Sequence, residues 1–247
     1  MYHFFVSQDQ IGTDQIRICG SDVNHIRNVL RMKPGEEILV SDEKQNDYYC
    51  VLEEIAADTV TARISFVEEQ GHELPAKITL FQGLPKGDKL ELIIQKAVEL
   101  GAAAVVPVSM KRSVVKLDEK KAQVRQKRWQ SIAESAAKQS KRSQIPEVSR
   151  VLSFAEMLEA AGEMDLFLAP YEAAEGMAAT RRAFELVKPG MRIGVLIGPE
   201  GGFDEEEIRA AKEAGALEIS LGRRILRTET AGFAVLSALM LKLEEME

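Results

Sequence analysis

The sequence is poor in the residues that build metal centres and disulfide frameworks. Of 247 residues, 2 are cysteine and 3 are histidine. Cys19 and Cys50 make no CxxC pair, which leaves them as reduced, buried thiols of a cytoplasmic protein. His3, His25 and His72 are scattered and offer no metal-ligand spacing, so no metal is expected. Long apolar runs are missing as well. No stretch reaches the about 20 residues of a membrane span, and the longest, 231–241, is broken by Ser237. The N-terminal MYHFFVSQDQ has no basic n-region and no long apolar h-region, which argues against a secretory signal.

What is present is an ordinary globular composition, 45% hydrophobic and 29% charged, long enough for one or two domains. The net charge of −7 is unevenly spread. Residues 1–72 carry 6 Lys/Arg against 13 Asp/Glu, whereas residues 111–150 carry 12 against 4. An acidic protein with one strongly basic segment can still hold a polyanion there.

The first seventy residues read as a small β-rich domain. FFVS, IRIC, EILVSD, DYYCVLEEI and TVTARISFVEE look like strands. Between the second and third, residues 21–38 predict a short helix capped by Ser21 or Asp22, with Ile26, Val29 and Leu30 as its apolar stripe. From 71-GHELPA-76 onward, short apolar strands alternate with helices, the last over about 229–245. That pattern means a mostly parallel sheet covered on both faces.

The stretch 195-VLIGPEGGFDEEEI-208 joins an apolar strand to an acidic helix start through a glycine turn. It lacks the lysine of a phosphate-binding P-loop and does not match a dinucleotide fingerprint. Asp204 and Glu207 have the spacing of an N-cap and its capping glutamate, and they occupy the positive end of the helix. A phosphate there would be repelled, so a ligand of this turn is uncharged or cationic. The next strand end, 221-LGRRILRTETAGF-233, has Thr228 as an N-cap and Glu229 in the first turn. Two consecutive strand ends of this kind make either one backbone-lined pocket or two tight turns beside a solvated arginine face.

IGPEGGF (197–203) followed by LGRRILRTETA (221–231) resembles the RsmE family, the 16S rRNA uridine-N3 methyltransferases of the SPOUT superfamily. The resemblance runs in order along nearly the whole chain. His25 to Arg31 with Pro34-Gly35, Lys86-Gly87-Asp88 leading to Gln95 through Gly101, Arg112-Ser113, and the Gln139, Arg142, Pro146 spacing all look like family blocks. It implies a SPOUT-type α/β trefoil-knot methyltransferase domain over 73–247. It also implies an N-terminal PUA-like β-barrel over 1–72, a homodimer, and S-adenosyl-L-methionine as the cofactor. Topology rules alone argue against a knot.

On that resemblance Ile197, Gly198, Pro199, Glu200, Gly201 and Gly202, with Leu221, Gly222 and Leu226, would wrap the donor, and the strand end around Leu168, Ala169 and Pro170 would complete the pocket. The reaction would be an in-line methyl transfer to uridine N3, whose proton must leave. Arg227 and Glu229 are the catalytic candidates, Glu229 as a base or as the group that orients Arg227. His25, Arg27, Arg31, Lys86, Arg112, Lys138 and Arg142 are the candidates for contact with 16S rRNA, expected within the small ribosomal subunit. Arg27 and Arg31 lie four apart on one helix face. The final helix, apolar on more than one face, is read as packing on the sheet and on a partner helix. The alternatives are a SPOUT enzyme with another nucleotide or a ribose 2′-OH as target, and a non-catalytic RNA-binding assembly protein.

Overall fold

The computed structural model describes residues 1–42, 46–69, 71–174 and 176–246. Two units result: Met1–Glu73 with Ala137–Ile145, and Leu74–Ala136 with Pro146–Glu247.

In the first unit, β1 (Tyr2–Val6), β2 (Gln15–Cys19), β3 (Glu37–Asp42), β4 (Asn46–Ile55) and β5 (Thr59–Glu69) form one sheet in the order β1-β3-β4-β5-β2. β1 and β3 pair in parallel; the other pairs are antiparallel. Both edge strands feed the same core. Phe4 and Val6 from β1 meet Ile16 and Ile18 from β2 around Ile38, Val40, Leu52 and Val60, so the sheet curls about one interior. The period-2 rule that buries Ile16 and Ile18 turns their neighbours outward. Cys19 is therefore exposed, contrary to expectation, while Cys50 is buried and burial pushes its thiol up to about 12.

The helix after β2 also departs from expectation. α1 spans only Ser21–Asn24 and passes into a π turn over His25–Val29. Gly20 occupies the cap position, and the Asp22 carboxylate pairs with Lys138 instead. The Leu30 N–H reaches back five residues to His25 at 2.8 Å. This wider turn shifts the stripe, burying Ile26 and leaving Val29 60% exposed. Arg31 then adopts φ 55, so it lies beyond the helix and does not share a face with Arg27.

A buried polar network braces this unit. His3 Nε2 lies 2.7 Å from Ser41 Oγ, the Ser41 hydroxyl donates to Asp47, and Ser143 Oγ donates to Asp47 Oδ2 over 2.8 Å. Burial lowers the His3 pKa to about 4 against the opposing pull of Asp47. Although sequence spacing showed no metal-ligand pattern, His72 comes together here with Asp47 and Glu68, their ligand atoms within 4.8 Å of one another. Arg142 and Glu73 form a buried ion pair, with Nε to Oε1 at 3.2 Å.

The second unit holds β6 (Lys77–Gly83), α2 (Lys89–Glu99), β7 (Ala102–Ser109), β8 (Glu147–Val148) and β9 (Leu152–Ser153). α3 (Glu119–Ser140) begins in this unit and ends in the segment grouped with the first. Then come α4 (Phe154–Ala161), β10 (Leu166–Pro170), α5 (Gly176–Glu185), β11 (Arg192–Ile197), α6 (Glu205–Glu213), β12 (Leu217–Ile219) and α7 (Thr228–Glu244). The sheet runs β12-β10-β11-β6-β7-β8, with β9 also on β7, and every pairing is parallel.

Helices cover both faces. Phe81, Phe167 and Leu196 pack against Met157 and Ala161 of α4 and Ile208 and Ala211 of α6. The alternate residues Gln82 and Ile197 face Thr228 and Gly232 of α7, which packs on α2. No described helix is long and apolar enough to cross a membrane.

Candidate active site

Because β10, β11 and β12 are parallel neighbours, their carboxyl ends open at one edge. There, in the second unit, lies a cavity of about 420 Å³ lined by Pro170, Tyr171, Ile197, Gly198, Leu221 and Gly222 among others. The two glycine turns thus form one pocket. Their tie is Thr228, whose Oγ1 donates to the Gly198 carbonyl oxygen over 2.6 Å and accepts from Gln82 Nε2 at 2.8 Å. Thr228 is the first helical residue of α7, and the cap position falls to Arg227. The expected cap is therefore a crossbrace between turns.

The amino end of α6 is closed to anions. Asp204 accepts from the Glu206 N–H at 3.2 Å, and Glu207 accepts from the Asp204 N–H at 3.2 Å and the Lys111 N–H at 2.8 Å. The Lys111 ammonium adds ion pairs to Asp204 and Glu206. Hydrogen bonds from the Glu206 N–H and from Lys111 hold the Asp204 carboxyl below its usual range.

Glu200 forms part of the cavity wall. Burial works to raise its pKa. The Lys86 N–H, its own backbone and the Lys89 ammonium outweigh burial and leave it lowered, hence ionised. Lys89 Nζ stands 3.1 Å from Glu200 Oε1 and 3.4 Å from Glu229 Oε2. The bond to Glu200, then the field of both carboxylates, raises the Lys89 pKa despite partial desolvation. Both acids are thereby occupied. Arg227 lines the cavity, is exposed, and pairs with neither of them.

Of the sequence candidates, Ile197, Gly198, Pro199, Glu200, Gly202, Leu221, Gly222, Leu226 and Arg227 all line the cavity. Leu168 and Ala169 do not; they are buried within β10, and the lining from that strand end begins at Pro170. Gly201 turns away, its carbonyl accepting from Arg112 at 3.2 Å. Glu229 lies off the lining, behind Lys89. Sequence reasoning missed Lys89, Tyr171 and Glu172. The strand-end rule reached to within a residue of Tyr171, but nothing local marked Lys89.

The nucleic-acid candidates separate by exposure. His25, Arg27, Arg31, Lys86 and Arg112 are exposed. Lys138 is engaged with Asp22 at 3.2 Å. Arg142, 5% exposed and paired with Glu73, is a structural cation and not an RNA contact. An ion pair in a dry interior keeps its partner and leaves no face for a phosphate.

Residues 72–240 match the RNA methyltransferase domain family and residues 18–65 the RNA methyltransferase PUA domain. The chain is 39% identical over 230 residues to the ribosomal RNA small subunit methyltransferase E of Bacillus subtilis, covering 92% of this chain and 90% of that one. The enzyme of that name from Neisseria gonorrhoeae, solved bound to S-adenosyl methionine, superposes with TM-score 0.82 at 31% identity, covering 98% and 97% of the two chains. A Legionella pneumophila methyltransferase solved with SAM as bound cofactor gives TM-score 0.84 at 31% identity, with 97% of each chain covered. The curled N-terminal sheet and parallel core are thus the PUA-like and SPOUT-type α/β folds. The chain belongs to the ribosomal RNA small subunit methyltransferase E family.

Proposed function

We propose that this protein transfers a methyl group from S-adenosylmethionine to N3 of a uridine in 16S rRNA. The observation that carries the reading is the cavity itself. It combines two backbone-rich turns with ionised Glu200 beside a helix start already filled by its own carboxylates. Such a wall suits a sulfonium and an uncharged nucleoside, and the filled start of α6 offers no amino end to a phosphate. Ile197, Gly198, Pro199, Glu200, Gly202, Leu221, Gly222 and Leu226 are the residues that would hold the donor, with Leu168 and Ala169 as supporting floor and Gly201 shaping the turn. When bound, the donor supplies an electrophilic methyl group on a cationic sulfur.

The remaining chemistry falls to the chain. Uridine N3 becomes nucleophilic as its proton leaves, and negative charge spreads onto the uracil carbonyl oxygens. Arg227, on the wall and without a carboxylate partner among the described residues, stabilises that charge. Glu229, off the lining, is assigned as the final acceptor of the N3 proton by way of Lys89, which gives one proton to that carboxylate as it takes another from N3. Residues 1–72 hold RNA and residues 73–247 perform the transfer. The exposed His25, Arg27 and Arg31 serve the first task, and Lys86 and Arg112 add contacts beside the pocket. α2 and α7 pack together and still leave Leu92 44% and Leu241 60% exposed, which supports a homodimer through these helices. The substrate is rRNA in the small subunit, and the site of action the cytoplasm.

The test is methyl transfer to small subunits from a strain lacking the protein, with the modified atom mapped. Methylation of uridine N3 is the expected result; methylation of a ribose or of another base overturns it. In single turnover, Glu229→Gln should slow transfer across pH, and unchanged rates would remove Glu229 as the base.

A further inference from the structure

The loop between β12 and α7 carries side chains whose arrangement a small donor does not explain. Gly222, at φ 104, turns the chain outward, and nothing lies within 4 Å of where a Cβ would stand. Beyond it Ile225 is 84% exposed, more than any other large apolar side chain among the described residues. Arg223, Arg224 and Arg227 flank it, all exposed, and among the described residues no carboxylate pairs with them. All four line the mouth of the cavity. An exposed isoleucine among three unpaired cations is unfavourable for the free loop on both counts: apolar surface stays in water and like charges repel. A partner that presents anionic groups next to a flat apolar face relieves both, and that description fits a nucleic acid strand.

We propose that Ile225 is a substrate-positioning wedge. Its side chain packs against the base next to the target uridine as that uridine leaves the stack, while Arg223 and Arg224 take the flanking phosphates. The inference rests on the proposed function, because N3 lies on the Watson–Crick edge and is reached only when the base is extruded. Apolar side chains inserted at base steps fill the space so opened. A second copy of the chain is the less favoured occupant, since a symmetric contact through this loop sets three arginines against three more.

The experiment compares Ile225→Ser and Ile225→Leu with wild type. It uses calorimetry with S-adenosylmethionine, kcat and KM on small subunits, solution mass, and an rRNA hairpin with 2-aminopurine beside the target. Ile225→Ser should lose about tenfold in kcat/KM for RNA, the scale of one apolar side chain's lost burial. Donor affinity should stay within about twofold, and the 2-aminopurine signal that wild type raises should be lost; Ile225→Leu should restore that signal and kcat/KM. Donor affinity falling in step with the kinetics places Ile225 on the donor and overturns the proposal. So does a change in solution mass, which makes it a subunit contact, or unaltered kinetics. A wild type that methylates no uridine refutes the enzymatic reading itself, a result distinct from a variant that matches an active wild type.

Discussion

Thr228 Oγ1 donates a hydrogen bond to the Gly198 carbonyl oxygen over 2.6 Å and so ties the start of the last helix to the glycine turn after β11. The same oxygen accepts from Gln82 Nε2 at 2.8 Å, which brings the end of β6 into the joint. Three segments distant in sequence meet on one buried hydroxyl, and the pocket is built around it.

Thr228→Val keeps the shape and removes the hydroxyl. It leaves the Gly198 carbonyl and one Gln82 N–H without this partner, a loss of about 1–3 kcal/mol. Each kcal/mol corresponds to roughly 2–4 °C in Tm for a protein of this size. Thr228→Ser should stay near wild type. Thermal unfolding of the pair checks this, and equal midpoints for Val and Ser would mean the joint is not needed.

A methyl group at Gly83 would stand 2.7 Å from Pro199 N and Cδ and 2.8 Å from Met110 Sδ. Backbone at that distance must move, at a cost of about 1–3 kcal/mol. The displacement falls on the turn that precedes Glu200. Gly83→Ala should therefore weaken binding of S-adenosylmethionine about tenfold or more. At Gly232 the nearest atoms lie at 3.8 Å, so Gly232→Ala should bind as wild type does. Calorimetry decides, and normal binding by Gly83→Ala would show that the turn accommodates the methyl.

Glu73 is the counter-ion of the buried Arg142, and its Oε1 also accepts from the Gln144 N–H at 3.1 Å. Glu73→Ala removes the carboxylate facing the buried guanidinium and should destabilise the protein by about 3–5 kcal/mol in denaturant titrations. Combining Glu73→Leu with Arg142→Met should cost less than either change alone. A double variant as unstable as the sum of the singles would contradict the pairing.

His3 titrates at about 4 in the folded protein against an ordinary 6.5, because burial disfavours the charged ring more than Asp47 favours it. Between those values the unfolded chain binds more protons, so stability rises with pH. This contribution is complete above about 6.5 and is lost as pH falls toward about 4, a total of roughly 3 kcal/mol. His3→Gln, which cannot titrate, should flatten the stability profile over that window. A wild-type profile already flat there would disprove the linkage.

Elements with strong local periodicity were legible in advance. The capping pair Asp204 and Glu207, the acidic helix start and the alternating strands appear where local pattern placed them, since caps and pleats are decided by near neighbours. Arg27 and Arg31 were misjudged because a π turn, set by packing, replaced the expected α register. Arg142 looked like an RNA ligand because a basic run does not reveal which of its cations will be buried beside a distant acid.

By itself, the order of residues determined that the helix after the glycine turn begins with its own carboxylates. Carboxylates that follow the glycine turn close the start of α6 to phosphate by short-range electrostatics that need no fold to be read. Only the tertiary structure decided which side chains share the pocket. Parallel pairing of β10, β11 and β12 aligns three strand ends. Packing of α2 on α7 then brings Lys89 between Glu200 and Glu229, so that Arg227 pairs with neither acid. Those pairings span more than a hundred residues of chain, and distances of that kind exist only once the sheet has formed.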